Sequence, residues 1–161
     1  MTRPRRAFAL ALMCATATSR CPSFDFESDY IGACPSGWLC RGSAGVRDWR
    51  EMPAGCELTG GAGGNHVFKV GCDQFFHGVA SSAPFILPVG VAALRYKRSG
   101  GADAGSGVWV RDADTGEIIG SSDRGDETQV MFAVSISLVG GGGRRVYIEL
   151  RETHASAIKG V

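Results

Sequence analysis

Three kinds of chemistry are open to the stretch from Ser99 to Gly120, SGGADAGSGVWVRDADTGEIIG, where glycines and three aspartates surround short apolar runs. A phosphate cradle needs glycines that open a helix, so that backbone amides and the helix dipole meet the anion. Here Gly107 leads into VWVRD, a strand pattern, and GGAGGN (60–65) leads into HVFKV in the same way. A calcium loop of EF-hand type needs oxygen ligands at alternate positions, closed by a glutamate, between two helices. Asp112, Asp114 and Glu117 supply carboxylates, but the glycine comes early and both flanks are β in pattern. What remains is a tight hairpin at Asp114-Thr115-Gly116, with Gly116 at positive φ and the aspartates accepting hydrogen bonds from nearby amides.

Nucleophilic catalysis would need a serine or cysteine on a strand-to-helix elbow beside a histidine and a carboxylate. GSAG and GSG read as loop punctuation, and His66, His77 and His154 fall in separate segments. The acids concentrate in turns, where carboxylates are solvated, so the chain reads as no enzyme. Sugar recognition asks for something else: an aromatic ring to stack on the apolar sugar face, and Asp, Asn, Gln or Arg side chains to hold the hydroxyls. Arg47, Asp48 and Trp49 supply both, and so does the run Asp73, Gln74, Phe75, Phe76 and His77. Trp38, Phe75 and Trp109 are taken singly as rings of the core or its rim. The expected function is a non-catalytic, lectin-like, carbohydrate-binding module whose partner is a polysaccharide or glycan. The alternative is an extracellular structural or adhesion domain that binds another protein through the loop of the 120s. In that loop Arg124-Gly125-Asp126 matches an integrin-recognition tripeptide, a match that three residues often produce by chance.

These residues must be held by β-strands, because the chain has period-two alternation and no amphipathic helical stretch of useful length. The clearest strands are HVFKV (66–70), VAALRYKR (91–98), GVWVRD (107–112), EIIGS (117–121), VMFAVSISL (130–138) and RVYIELRE (145–152). In the fifth, Val130, Phe132, Val134, Ile136 and Leu138 share one face; in the sixth, Val146, Ile148 and Leu150 oppose Tyr147, Glu149 and Arg151. Weaker strands are read at SFDFES, GSAGVR and GVASSAPFIL, and PSGWL reads as a loop. Turn residues separate the strands at the spacing of a sandwich, and Pro84 and Pro88 mark an edge position. The expected fold is an all-β, two-sheet antiparallel jelly-roll sandwich.

The 161 residues suit one domain, and a formal net charge of +1 provides no basic field for nucleic acid. Arg3, Arg5 and Arg6, the apolar run Ala7 to Ala17, and Ala15-Thr16-Ala17 have the form of a signal peptide over residues 1–17, too short to span a bilayer. Cleavage there would leave 14 basic against 16 acidic side chains, in a single β-sandwich domain over 18–161. A secreted or extracellular setting makes Cys21, Cys34, Cys40, Cys56 and Cys72 candidates for disulfides, with Cys34–Cys40 and Cys56–Cys72 as the expected pairs. Zinc is the rival, but no Cys-x-x-Cys pair or histidine cluster accompanies them.

The order of the pieces carries a resemblance. FDFESDYIGACPSGW, then GVASSAPFILPVGVAALRYKRSGGADAGSGVWVRDADTGEIIG, then VMFAVSISLVGGGGRRVYIELRE resemble the successive strands of a galactose-binding-like jelly-roll. That module is found appended to secreted fructan- and levan-degrading glycosidases. The resemblance covers the chain from about Phe24 onward and implies a carbohydrate-binding role, with a structural calcium near the opening strand for which Glu27 is the matching ligand. The family closes with a strand often of the form GxxxxDDI, whereas this sequence reaches only AIKGV, so the closing strand is expected to be short or truncated.

Overall fold

A computed structural model describes residues 11–14, 24, 26–51, 66–70, 78–98, 105–122 and 132–152. Among them are eleven strands: β1 (Ala11–Cys14), β2 (Trp38–Gly42), β3 (Gly45–Asp48), β4 (His66–Lys69), β5 (Gly78–Ser82), β6 (Phe85–Ile86), β7 (Ala93–Arg98), β8 (Gly107–Asp112), β9 (Ile118–Ser122), β10 (Phe132–Ser137) and β11 (Arg145–Glu152). A single 3₁₀ turn, Trp49–Glu51, follows β3. The largest sheet runs β2-β5-β11-β8-β9, with β6 also on β11; a second runs β1-β7-β10; β3 and β4 form a separate pair. Every recorded pairing is antiparallel.

Alternation explains how these layers share a core. In β11, Val146, Ile148 and Leu150 are buried, and the register sets Ile148 opposite Val110 and Leu150 opposite Val108 of β8. From the second sheet come Leu94 and Tyr96 of β7 and Ile136 of β10, while β3 and β4 add Val46 and Phe68. Each of these side chains contributes about 1.5–3 kcal/mol on burial. The expected faces are observed over 132–138 and 145–152, while Val130 and Met131 lie outside the described residues, and the described residues are all-β with sandwich-like antiparallel sheets.

At one end of the core five rings gather. Phe68 meets Trp38 edge-on at 5.1 Å and Phe26 at 5.2 Å, and Phe24 meets Trp38 at 5.4 Å and Phe85 at 6.4 Å. Phe26 sits at φ 60°, a left-handed conformation rare for a bulky residue. It is nevertheless buried in the ring cluster, which compensates the local strain. Of SFDFES, Ser23 and Asp25 lie outside the described residues; Phe24 makes a single bridge, and the chain turns at 27–28, after Phe26. Conversely, the PSGWL loop ends in β2, because Trp38 to Gly42 find a full register of partners in β5. Alternation alone is weak there, and pairing makes the strand.

GVASSAPFIL divides into β5 and β6 around Ala83 and Pro84. Pro84 has no amide to contribute to the ladder. β5 serves β11 from Glu149 to Glu152 and β6 serves it at Arg145 and Val146. Between them the buried Ile148 amide donates to Ser82 Oγ at 3.0 Å, so a hydroxyl replaces the missing strand partner. Ser82 Oγ in turn donates to the Ala83 carbonyl at 3.0 Å.

Two features concern the N-terminal half. The Cys34–Cys40 disulfide is present, with Cα atoms 5.7 Å apart, while Cys56 and Cys72 lie outside the described residues. Ala11–Cys14, inside the expected signal segment, pairs with β7 in the register Ala11 to Lys97 through Cys14 to Leu94. No helix among the described residues is long and apolar enough to cross a membrane.

Candidate functional site

The loop that opened the sequence reading resolves into a hairpin between β8 and β9. Asp112 Oδ1 accepts from the Asp114 amide at 3.0 Å, the Thr115 amide at 2.8 Å and Thr115 Oγ1 at 3.0 Å. Gly116, at φ 76°, donates its amide to the Asp112 carbonyl at 3.0 Å. Arg144 binds Asp112 Oδ2 at 2.8 Å and Glu117 Oε2 at 2.8 Å, and Arg145 reaches Asp114 Oδ1 at 3.2 Å. The carboxylates thus hold a turn, as expected from the sequence.

The Asp112 pKa is pulled from its ordinary 3.8 to about 2, first by the Thr115 amide, then by the Asp114 amide and Arg144. A carboxyl whose folded pKa is depressed stabilises the fold above its unfolded pKa and loses that contribution as pH falls through the folded value. In thermal melts, Asp112→Asn should therefore lie below the parent at neutral pH, with the gap closing as pH drops from about 4 to about 2. A gap that stays constant over that range would contradict this assignment.

The sequence-derived sugar site begins at the end of β3. Asp48 stands opposite His66 of β4 in the register. Asp48 Oδ1 accepts from the Arg50 amide at 2.9 Å and from Arg50 Nε at 3.1 Å, and Oδ2 takes Arg50 Nη2 at 3.0 Å. Aspartate so placed sets the entry to the 3₁₀ turn that carries Trp49. The Arg50 guanidinium, followed by its backbone amide, holds the Asp48 carboxyl below the ordinary carboxylate value, and Asp48 raises Arg50 in return. Arg47 Nη1 donates to the Val46 carbonyl at 3.0 Å.

Two further segments arrive at this end. Glu27 Oε1 accepts the His66 amide at 3.0 Å. The His66 Nδ1 lies 3.1 Å from the Phe26 carbonyl, which can only accept, so Nδ1 carries the proton. Loop 30–33 runs beside β3: the Gly32 amide donates to the Val46 carbonyl at 2.8 Å and the Val46 amide to the Ala33 carbonyl at 2.9 Å. This loop leaves the Tyr30 ring 87 % exposed. Its continuation is tied by the Cys34–Cys40 bridge and by Ser36, whose amide donates to Asp29 Oδ1 at 2.8 Å.

The structure thus brings Arg47, Asp48 and the backbone of Trp49 together with Glu27, His66, Arg50 and loop 30–33. Asp73, Gln74, Phe76 and His77, the other half of the expected site, lie outside the described residues. Their flanks are placed: Val70 accepts from Ser43 Oγ at 3.0 Å, and Gly78 abuts the Val70 carbonyl and the Ala44 amide. That is the opposite end of the β3–β4 pair, about 10 Å from Asp48. Glu27, matched to a calcium ligand by resemblance, hydrogen-bonds His66 as described, and no group of three or more His, Cys, Asp or Glu is placed to hold a metal among the described residues.

Tyr30 has flanks that carry no alternation, and only the hydrogen bonds of Gly32 and Ala33 to Val46 bring its loop alongside β3. A second constellation emerged from the outer face of the large sheet. Glu149 Oε1 takes Arg151 Nη2 at 2.8 Å and Arg111 Nη2 at 3.3 Å, and Arg151 lies 5.5 Å over the Trp109 ring. With Trp109 only 9 % exposed, this group clads the sheet and leaves no open ring face for a sugar. No protein-family model, curated protein or solved structure matches the chain.

Proposed function

We propose that the protein is a secreted, non-catalytic carbohydrate-binding module on a galactose-binding-like jelly-roll, with its site at the Asp48 end of β3. One observation supports this reading above the others: the Tyr30 ring stands almost fully in water on a loop hydrogen-bonded along β3, next to the strand that carries Arg47 and Asp48. A large ring exposed on a tied loop retains little conformational freedom to lose, which suits stacking against a sugar face. Asp48 and Arg50, fixed by their two side-chain hydrogen bonds, then offer the remaining carboxylate and guanidinium positions to sugar hydroxyls. Trp49, in the 3₁₀ turn that follows Asp48, is the second ring of the proposed site.

The test is a glycan array probed with the oxidised full-length protein, followed by affinity electrophoresis on the polysaccharide it selects. Tyr30→Ala and Trp49→Ala should each weaken retention about tenfold, the worth of one stacked ring, with the melting temperature unchanged. Unchanged retention in both variants removes this site. An array without signal, together with capture of a defined extracellular protein, would favour an adhesion domain in its place.

A further inference from the structure

The outward face of the largest sheet has a charge pattern of its own. With Val146, Ile148 and Leu150 of β11 turned inward, alternation sends Arg145, Glu149 and Arg151 outward. The register puts Arg111 of β8 and Arg41 of β2 on the same side. Glu149 is the only acid at an outward strand position of this sheet among the described residues. Four arginines thus stand against one carboxylate, in a chain whose formal net charge is only +1. Arg111 and Arg151 share that carboxylate through Oε1, at 3.3 Å and 2.8 Å, which leaves a cationic excess there. Arg41 lies in one row with Arg151, one strand away across Val79; it is exposed and, among the described residues, unpaired. Arg145, half exposed, holds Asp114 at the far end of β11, about 20 Å from Arg151 along the strand.

We propose that this face is a docking surface for an acidic polysaccharide, a linear glycan bearing sulfate or carboxylate groups, laid along β11 between Arg145 and the Arg41–Arg151 row. Charge complementarity selects the class, because guanidinium forks meet the oxygens of sulfate and carboxylate in pairs. The Trp109 ring is covered by Arg151, so recognition here is ionic and a neutral glycan gains nothing from stacking. An acidic peptide fits less well. β11 is flanked by β5 and β6 on one side and β8 on the other, so its backbone groups are spent within the sheet. An extended peptide crossing this face would find no backbone partners for its own amides. A sulfated or uronate chain carries no such row of amides. The surface uses no residue of the Asp48 end of β3, and it stands or falls apart from that site.

The experiment is affinity electrophoresis of the full oxidised chain at low ionic strength, where exposed charges are least screened. The probes are dextran sulfate, polygalacturonate, neutral dextran and polyglutamate. Dextran sulfate or polygalacturonate should retard the parent, and whichever does so more strongly names the oxyanion. Arg41→Glu should weaken that retention about tenfold. Arg95→Glu, an equal charge change at an exposed position of the other sheet, should alter it less than about twofold. Equal losses in the two variants would mean a general field with no localised surface, and would overturn the proposal. So would retention by neither acidic glycan, or by polyglutamate as strongly as by the better of them. Should Arg41→Glu fail to fold in a thermal melt, Arg41→Gln decides, with a loss of about threefold expected and an unchanged retention overturning the surface. Tyr30→Ala should leave retention by the acidic glycan unchanged. A loss there would place that glycan at the other site and overturn this one.

Discussion

Phe68→Ala should destabilise the fold by about 3–5 kcal/mol, read as a fall in the urea midpoint of the oxidised protein. Phe68 is fully buried on β4, and its ring is the contact point of both Phe26 and Trp38, at 5.2 Å and 5.1 Å. Truncation removes its transfer free energy and both edge-to-face contacts. It also opens a cavity that cannot collapse, because Phe26 is held by its own turn and Trp38 by the pairing of β2 with β5. Against a total stability of about 5–15 kcal/mol for a domain of this kind, that loss brings the protein near its unfolding threshold. The parallel change at Phe85, half-buried on the two-residue β6, should have a smaller effect. Equal losses at the two positions would show that the ring cluster is not centred on Phe68.

The second large effect is expected at Gly78, where β5 begins. A Cβ added there would collide with the Val70 carbonyl oxygen and sit 3.1 Å from the Ala44 amide nitrogen. Both neighbours are backbone, so no rotamer change relieves the clash, and three chain segments would have to separate. Gly78→Ala should lower stability by about 3 kcal/mol, the upper part of the range for overpacking. Ser81→Ala, on the outer side of the same strand, should stay within about 0.5 kcal/mol of the parent. Hydrogen exchange would localise the damage: amides of 78–82 and 66–70 should lose protection ahead of those in β8 and β11. A Gly78→Ala protein as stable as Ser81→Ala would contradict the close approach of the three segments.

How far the fold was legible depended on how locally each element is specified. GVWVRD and RVYIELRE became β8 and β11 with the expected bounds, since their alternation and flanking turns agree. Gly116 took positive φ and Asp112 collected amides, because a short hairpin is decided by residues three or four apart. Cys34 and Cys40 bridged because a six-residue separation leaves few other arrangements. Less was legible where partners are distant in sequence. Trp38 to Gly42 became a strand through β5, forty residues on, and Phe26 took a left-handed conformation that serves the ring cluster.

The same division runs through the site. By itself the sequence determined an all-β chain, the inward face of each strong strand, the 112–117 hairpin and the Arg47-Asp48-Trp49 candidate, since each depends on neighbours within a strand or turn. Only the tertiary structure decided that Glu27 and His66 join Asp48, that Tyr30 stands exposed on a loop hydrogen-bonded to Val46, that Trp109 is covered by Arg151, and that β7 is bordered by residues 11–14. The physical reason is register: a strand's own alternation says which face each side chain takes, but not which strand lies beside it. Sheet order comes from the joint burial of all the faces, a property of the whole chain.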